Sequence, residues 1–230
     1  MTIWGNPPRA AARWDRLARV TEPKLTLYAE PSWVSPWVFH VMIALEEKRL
    51  PYTLEVIWGE ELHRDDIRER AIIDKVPILV HEDAWITESI AISEYLAERF
   101  PVPDHPRLFP ENLVQRARAR QIMSALRTGF FAMRQERPTT GIFGVPEGKP
   151  MSKEAQAEAD ELVRIASALI RPGATTMFEE WCIADADLAL ALMRLVAVGD
   201  PVPQAITDYT TAQWRRPSVQ KFLTYVPTRR

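Results

Sequence analysis

The stretch Lys75-Val76-Pro77-Ile78-Leu79, followed at residues 85–92 by Trp85-Ile86-Thr87-Glu88-Ser89-Ile90-Ala91-Ile92, decides how the first half of the chain folds. Ile78 to Val80 is a short apolar run entered through a proline, Glu82-Asp83 is a turn signal, and Trp85-Ile86 is a second short run. Together they predict a β-hairpin. Ser89 then opens a segment in which Ile90, Ile92, Tyr95 and Leu96 recur at helical spacing. A hairpin that leads directly into a helix leaves the unpaired N–H groups of the first turn beside Glu88 and Ser89.

Working toward the N-terminus, Leu25 and Leu27 alternate with Thr26 and Tyr28 as a strand, and Pro31 and Pro36 then interrupt the chain. Val38, Val41, Met42 and Leu45 mark a helix that closes at Glu46-Glu47-Lys48; Tyr52 to Ile57 alternates as another strand; Leu62 to Ile73 is charged and weakly helical. The order over residues 24–100 is therefore strand, helix, strand, helix, strand, strand, helix, an α/β pattern ending in a hairpin. Residues 1–23 stand apart, with Arg9, Arg13, Arg16 and Arg19 among alanines, and are expected to form an N-terminal extension rather than a targeting signal.

Toward the C-terminus, residues 101–110 are too rich in proline to sustain a helix and read as a linker. Residues 111–230 contain no credible strand. Leu113, Ala117, Met123, Leu126, Phe130 and Met133 space out as one face of a long helix, a second helix runs from Ser152 to about Ile170, and Ile183 to Val198 is apolar on nearly every side. Shorter helices near Pro203 to Trp214 and Ser218 to Tyr225 complete an all-helical domain.

Composition narrows the function. No apolar run approaches the roughly 18 residues of a membrane span, and a formal charge of −2 gives no general attraction to nucleic acid. Cys182 is the only cysteine, which excludes an intramolecular disulfide and a cysteine metal cage and fits a reducing, cytoplasmic setting. His40, His63, His81 and His105 never fall in a metal-like i, i+4 pair, so no metal is expected. The chain also lacks the glycine motifs of nucleotide sites and the G-x-S-x-G of serine hydrolases.

Val76-Pro77 followed by Glu88-Ser89 at a helix start resembles the glutathione transferase family, and the strand and helix order is the thioredoxin-like one. Arg116 to Arg120, Glu136-Arg137-Pro138-Thr139, Trp181-Cys182 and Trp214 to Phe222 look like its bacterial YfcF-type branch. The resemblance implies a thioredoxin-like N-terminal domain plus an all-α C-terminal bundle, glutathione as co-substrate, and a homodimer. It also implies that Val76, before a cis Pro77, pairs with the cysteinyl backbone of glutathione, that Glu88 takes the γ-glutamyl ammonium, and that Ser89 takes its carboxylate. The positive end of a helix independently favours a carboxylate at Ser89, although capping alone also explains both residue types.

The same resemblance places a thiolate partner between the first strand and first helix. Ser35 is the candidate catalytic donor, with Ser32, Tyr28 or a backbone N–H as alternatives. Lowering a thiol pKa from about 8.5 by two units takes about 2.7 kcal/mol. A helix end supplies roughly 0.3 to 1 kcal/mol and a hydrogen bond to a charged group roughly 1.5 to 3 kcal/mol, so a direct donor should decide the outcome. Ser35 before Pro36 is also an ordinary N-cap. In the second domain, Cys182 stands where relatives carry a Ser or Thr, so Asp185 is expected to hold that helix start.

Chain departures leave the glycyl carboxylate unassigned, with Lys75, His63 and Arg68 in reach. Trp33, Trp37, Met123, Arg127, Phe130, Phe131 and Met133 are expected to wall a pocket for a small hydrophobic electrophile or peroxide. The expected activity is that of a glutathione S-transferase; glutathione-dependent disulfide reduction and non-catalytic ligand binding are the alternatives.

Overall fold

A computed structural model of the chain describes residues 24–227, so the N-terminal extension lies outside the described residues. The first domain comprises β1 (Leu25–Ala29), α1 (Pro36–Glu47), β2 (Thr53–Val56), α2 (Asp65–Ala71), β3 (Ile78–His81), β4 (Ala84–Thr87) and α3 (Ser89–Arg99). The sheet order is β2, β1, β3, β4, with β1 parallel to β2 and the other pairs antiparallel. Strand alternation sorts the side chains. Leu25, Leu27 and Ala29 join the main core, whereas Tyr28 stacks on Trp85 at 5.6 Å in a smaller cluster with Ile57, Ile67 and Ala71.

The second domain contains α4 (Leu113–Thr128), α5 (Phe131–Glu136), α6 (Thr139–Ile142), α7 (Lys153–Leu169), α8 (Ile183–Val196), α9 (Gln204–Trp214) and α10 (Pro217–Leu223). One hydrophobic core runs through both domains, because α1 packs against α3 on its own side and against α8 and α10 on the other. Val38 to Leu45 are consequently all buried. Phe39 of α1 meets Phe222 at 5.1 Å and Trp214 at 5.8 Å, while Arg216 and Ser218 both donate to the Glu47 carboxylate. The linker is held too: Leu108 and Phe109 are buried, and Ile183 N–H donates to the Leu108 carbonyl at 2.9 Å.

The expected long helix through Met133 is two helices. Helix α4 stops at Thr128, Gly129 caps it in an extended conformation, and Phe130 adopts the left-handed region at φ 59 before α5 begins. A Cβ at Gly129 would lie 3.1 Å from the Ala125 carbonyl oxygen, which accepts the Gly129 N–H. Apolar spacing survives the break because residues on both sides still face one core, so periodicity alone does not reveal it. The Asp185 expectation holds: its carboxylate accepts the N–H groups of Cys182 and Met177 at 2.9 and 2.8 Å.

Lys48, at the C-terminal end of α1, is 1% exposed, and its ammonium donates to the Pro106 carbonyl at 2.9 Å. Burial pushes its pKa from 10.5 down to about 8. Between those values the unfolded chain holds more protons than the folded one, so stability rises with pH across that window. At neutral pH the folded state carries a cost of order 3 kcal/mol, offset by about 1 kcal/mol for the hydrogen bond. Lys48→Met is therefore expected to be more stable than the parent at neutral pH, with the difference shrinking from pH 8 to 10.5, as read by urea denaturation.

Candidate functional site

Two helix N-termini, those of α1 and α3, converge on the boundary between the domains. Ser35 is the N-cap of α1, and its half-buried Oγ accepts the N–H groups of Trp37 and Val38 at 3.3 and 3.2 Å. A serine hydroxyl has two acceptor positions and one donor. Both acceptor positions serve the helix, and the hydroxyl proton stays available for an outside acceptor. Pro36 follows at the first helical position.

The loop before Ser35 is held by a residue that sequence reading passed over. Glu30 accepts the N–H groups of Val34 and Ser35 through Oε1 at 2.8 and 2.7 Å. Burial raises the Glu30 carboxyl pKa despite those bonds, and Oε2 is buried without a hydrogen-bond partner. With its own N–H donated to Glu30, Ser35 faces outward through its hydroxyl alone. Tyr28 packs on Trp85 in the smaller cluster, and Ser32 is exposed.

The Val76–Pro77 bond is cis, and Pro77 leads into β3. After β4, Glu88 sits at the N-cap position of α3 at φ 65, exposed and without a side-chain bond to the helix. It is not acting as a cap. A non-glycine residue in the left-handed region costs of order 1 to 3 kcal/mol and often marks a functional position. Ser89 is buried at the first helical position, where Arg127 Nη2 donates to its Oγ at 2.9 Å.

That arginine opens a buried network. Asp187 of α8 accepts from Arg127 Nη1 with one oxygen and lies 2.7 Å from His40 Nδ1 with the other. Burial alone would raise the Asp187 carboxyl, but His40 and Arg127 beside it hold its pKa below 3.8. His40 is fully buried, and its Nε2 has no hydrogen-bond partner among the described residues. Arg127 also lies over the Trp37 ring, 4.5 Å from its centroid.

A narrow cleft of about 20 Å³ opens beside the first turn of α1. Pro36 and Trp37 line one side, Leu126, Phe130, Met133 and Arg134 another, and Asp187, Leu190, Ala191 and Arg194 of α8 the third. Among the expected pocket residues, Trp37, Phe130 and Met133 take that position. Trp33 is instead buried and stacks on Tyr225 at 4.9 Å; Met123 is in the core; Arg127 reaches Ser89; and Phe131 is 59% exposed under Arg134. Of the glycyl candidates, His63 and Arg68 both pair with Asp74, and Lys75 is exposed. Among the described residues, no group of His, Cys, Asp and Glu is arranged to hold a metal, and no helix is long and apolar enough to cross a membrane.

A thioredoxin-like sheet domain docked through its first helix onto an all-helical domain defines the glutathione transferase fold. The family models agree, matching a glutathione S-transferase N-terminal domain over residues 32–106 and a glutathione S-transferase C-terminal domain over residues 112–227. The chain belongs to the glutathione S-transferase family. It is 30% identical over 185 residues to a stringent starvation protein A homolog of Haemophilus ducreyi, covering 77% of this chain and 80% of that protein. It is also 28% identical over 140 residues to glutathione S-transferase U10 of Arabidopsis thaliana, 60% of this chain and 53% of the relative. A solved structure of a glutathione transferase homolog from Burkholderia with bound glutathione superposes with TM-score 0.73 at 32% identity, covering 87% of this chain and 97% of that one.

Sequence reading missed Glu30, His40, Asp187, Arg134 and Arg194. A signal existed for two of them: beyond Asp185 in the first turn, Asp187 and Arg194 are the charges in an apolar helix, seven apart, with Leu190 and Ala191 on the same face. Removing one member of a buried charge network typically costs about 3 to 5 kcal/mol. Asp187→Asn is expected to lose that much at neutral pH. Because the folded-state pKa is depressed, Asp187's contribution is present above 3.8 and fades as pH falls further through the folded value. Urea melts of parent and variant should thus differ by a constant amount near neutrality and converge in stronger acid.

Proposed function

We propose that this protein binds glutathione in its first domain and directs the ionised thiol at a small electrophile or peroxide in the cleft. The observation that carries this reading is the Ser35 hydroxyl, fixed at the N-terminus of α1 by two backbone N–H groups donating to its oxygen and able to donate its own proton outward. Such a donor stabilises a thiolate by roughly 1.5 to 3 kcal/mol, with the helix end adding to it. The thiol proton leaves to solvent. The thiolate then attacks an electrophilic atom, and the leaving group departs with the electron pair of the broken bond.

Glutathione placement follows from the second helix. Its γ-glutamyl carboxylate would meet Ser89, the first-turn N–H groups of α3 and the Arg127 guanidinium, while exposed Glu88 takes the ammonium. Val76, before the cis Pro77, would pair with the cysteinyl backbone. The glycyl carboxylate falls to Lys75, since His63 and Arg68 are engaged by Asp74. Bound glutathione in the Burkholderia homolog supports the ligand. The YfcF-type branch and a cytoplasmic site of action belong to the same reading.

A second reading, glutathione or ligand binding with little turnover, is favoured by the similarity to stringent starvation protein A homologs. We also infer a homodimer, supported by exposed Trp58, Ile72, Leu113 and Val114; light scattering at micromolar concentration should give twice the chain mass.

Calorimetry is expected to show glutathione binding in the parent. Ser35→Ala should keep that binding but lower kcat/KM for conjugation roughly ten- to a hundredfold and raise the pH at which the bound thiol ionises. Thiolate absorbance across a pH series reads the second effect. Unchanged turnover would remove Ser35 from the chemistry, and binding without turnover in the parent would select the second reading.

A further inference from the structure

The cleft beside Trp37 has a charge excess that its apolar walls do not explain. Arg134 and Arg194 both line it. Arg194 is 7% exposed, and its Nη1 donates to the Arg137 carbonyl at 2.6 Å; Arg134 is half-buried, and its Nη1 donates to the Arg127 carbonyl at 3.1 Å. Carbonyl bonds hold a guanidinium in place without neutralising it. Among the described residues neither arginine has a carboxylate within ion-pair distance. The acid on the cleft, Asp187, is already shared by His40 and Arg127. Glu158 of α7 accepts the Met133 N–H at 2.9 Å and forms no ion pair with Arg134.

Buried charges are normally paired, because taking one out of water unpaired is costly. Here two like charges face one cleft from two of its sides. Burial first, and Arg134 second, lower the Arg194 pKa to about 10, while Arg134 is itself lowered by burial and by Arg127, against a partial offset from the Glu158 charge. Two guanidinium groups lining one cleft, each held by a backbone carbonyl and neither paired with a carboxylate among the described residues, make the cleft suited to an anionic group. Arginine is the side chain suited to taking a planar anion through two hydrogen bonds. The rest of the wall, Leu126, Phe130, Met133, Leu190 and Ala191, is apolar.

We infer that the second substrate is an apolar molecule bearing a carboxylate, which Arg134 and Arg194 hold while its reactive end faces the first turn of α1. This rests on the glutathione reading for the position of the attacking sulfur, and it narrows the substrate from a neutral hydrophobic electrophile to an anionic one.

The test compares para-chloro-meta-nitrobenzoate with its methyl ester, by calorimetry on the full chain without glutathione and again at saturating glutathione. The acid is expected to bind at least about tenfold tighter than the ester in both conditions. Arg134→Gln should weaken acid binding far more than ester binding, removing most of that preference. Arg194→Gln should do the same, and Arg194→Lys should retain the preference, which separates lost charge from lost folding. Equal binding of acid and ester, or an acid preference untouched by Arg134→Gln, overturns the inference. Displacement of the acid by glutathione also overturns it, since the arginines would then serve the tripeptide. If glutathione gives no heat while the acid keeps its arginine-dependent preference, the glutathione reading fails and the carboxylate site stands.

Discussion

The buried Asp187 carboxylate is the contact on which the arrangement of the site depends. It lies on α8 but holds His40 of α1 and Arg127 of α4, and through Arg127 it reaches Ser89 at the start of α3. Four helices from two domains are thereby tied within a few ångströms of one another. Apolar packing of α1 against α8 brings these elements together with little directional preference. The charged network, whose bonds require particular distances and angles, sets how the two helix starts face each other.

On the proposed reading those helix starts take anions in complementary ways. Neither α1 nor α3 has an acidic residue in its first turn, although Glu30 stands beside the start of α1 and Glu88 at the N-cap position of α3. Ser35 answers two of the α1 N–H groups and keeps its proton; Ser89 accepts from a guanidinium and adds a charge to its helix end. The two ends therefore differ in strength. A carboxylate is ionised at neutral pH and needs only to be held, whereas a thiol must be persuaded to ionise, and a hydroxyl donor at close range does that better than a distant field.

Sequence made the architecture largely legible because its signals are local. The alternation at Leu25 to Tyr28, the turn at Glu82-Asp83 and the proline-rich linker each specify backbone within a few residues, and the structure places them as expected. The Ser35 cap of α1 was legible for the same reason. What could not be read were pairings across long separations: Arg127 lies 60 positions from Asp187, and His40 lies 147 from it. No periodicity encodes which buried charges will meet. The break after Thr128 escaped notice for a different reason, since Phe130 enters the left-handed region without the glycine that usually announces it. Gly129, one residue earlier, marks the close approach to the Ala125 carbonyl instead.

The sole cysteine completes the chemical argument by its position. Cys182 is buried at the start of α8, and burial first, then the Asp185 charge, raise its thiol well above the ordinary range. A thiol so placed neither ionises at neutral pH nor meets a solute. Sulfur chemistry in the cleft must therefore use sulfur that the ligand brings, and the protein contributes only hydrogen bonds, fields and shape. That division explains why the site invests in donors at α1 and charges along α8 rather than in a reactive side chain. On the proposed reading, substrate selection falls to the cleft, where Arg134 and Arg194 stand among apolar neighbours, and thiol ionisation to the start of α1.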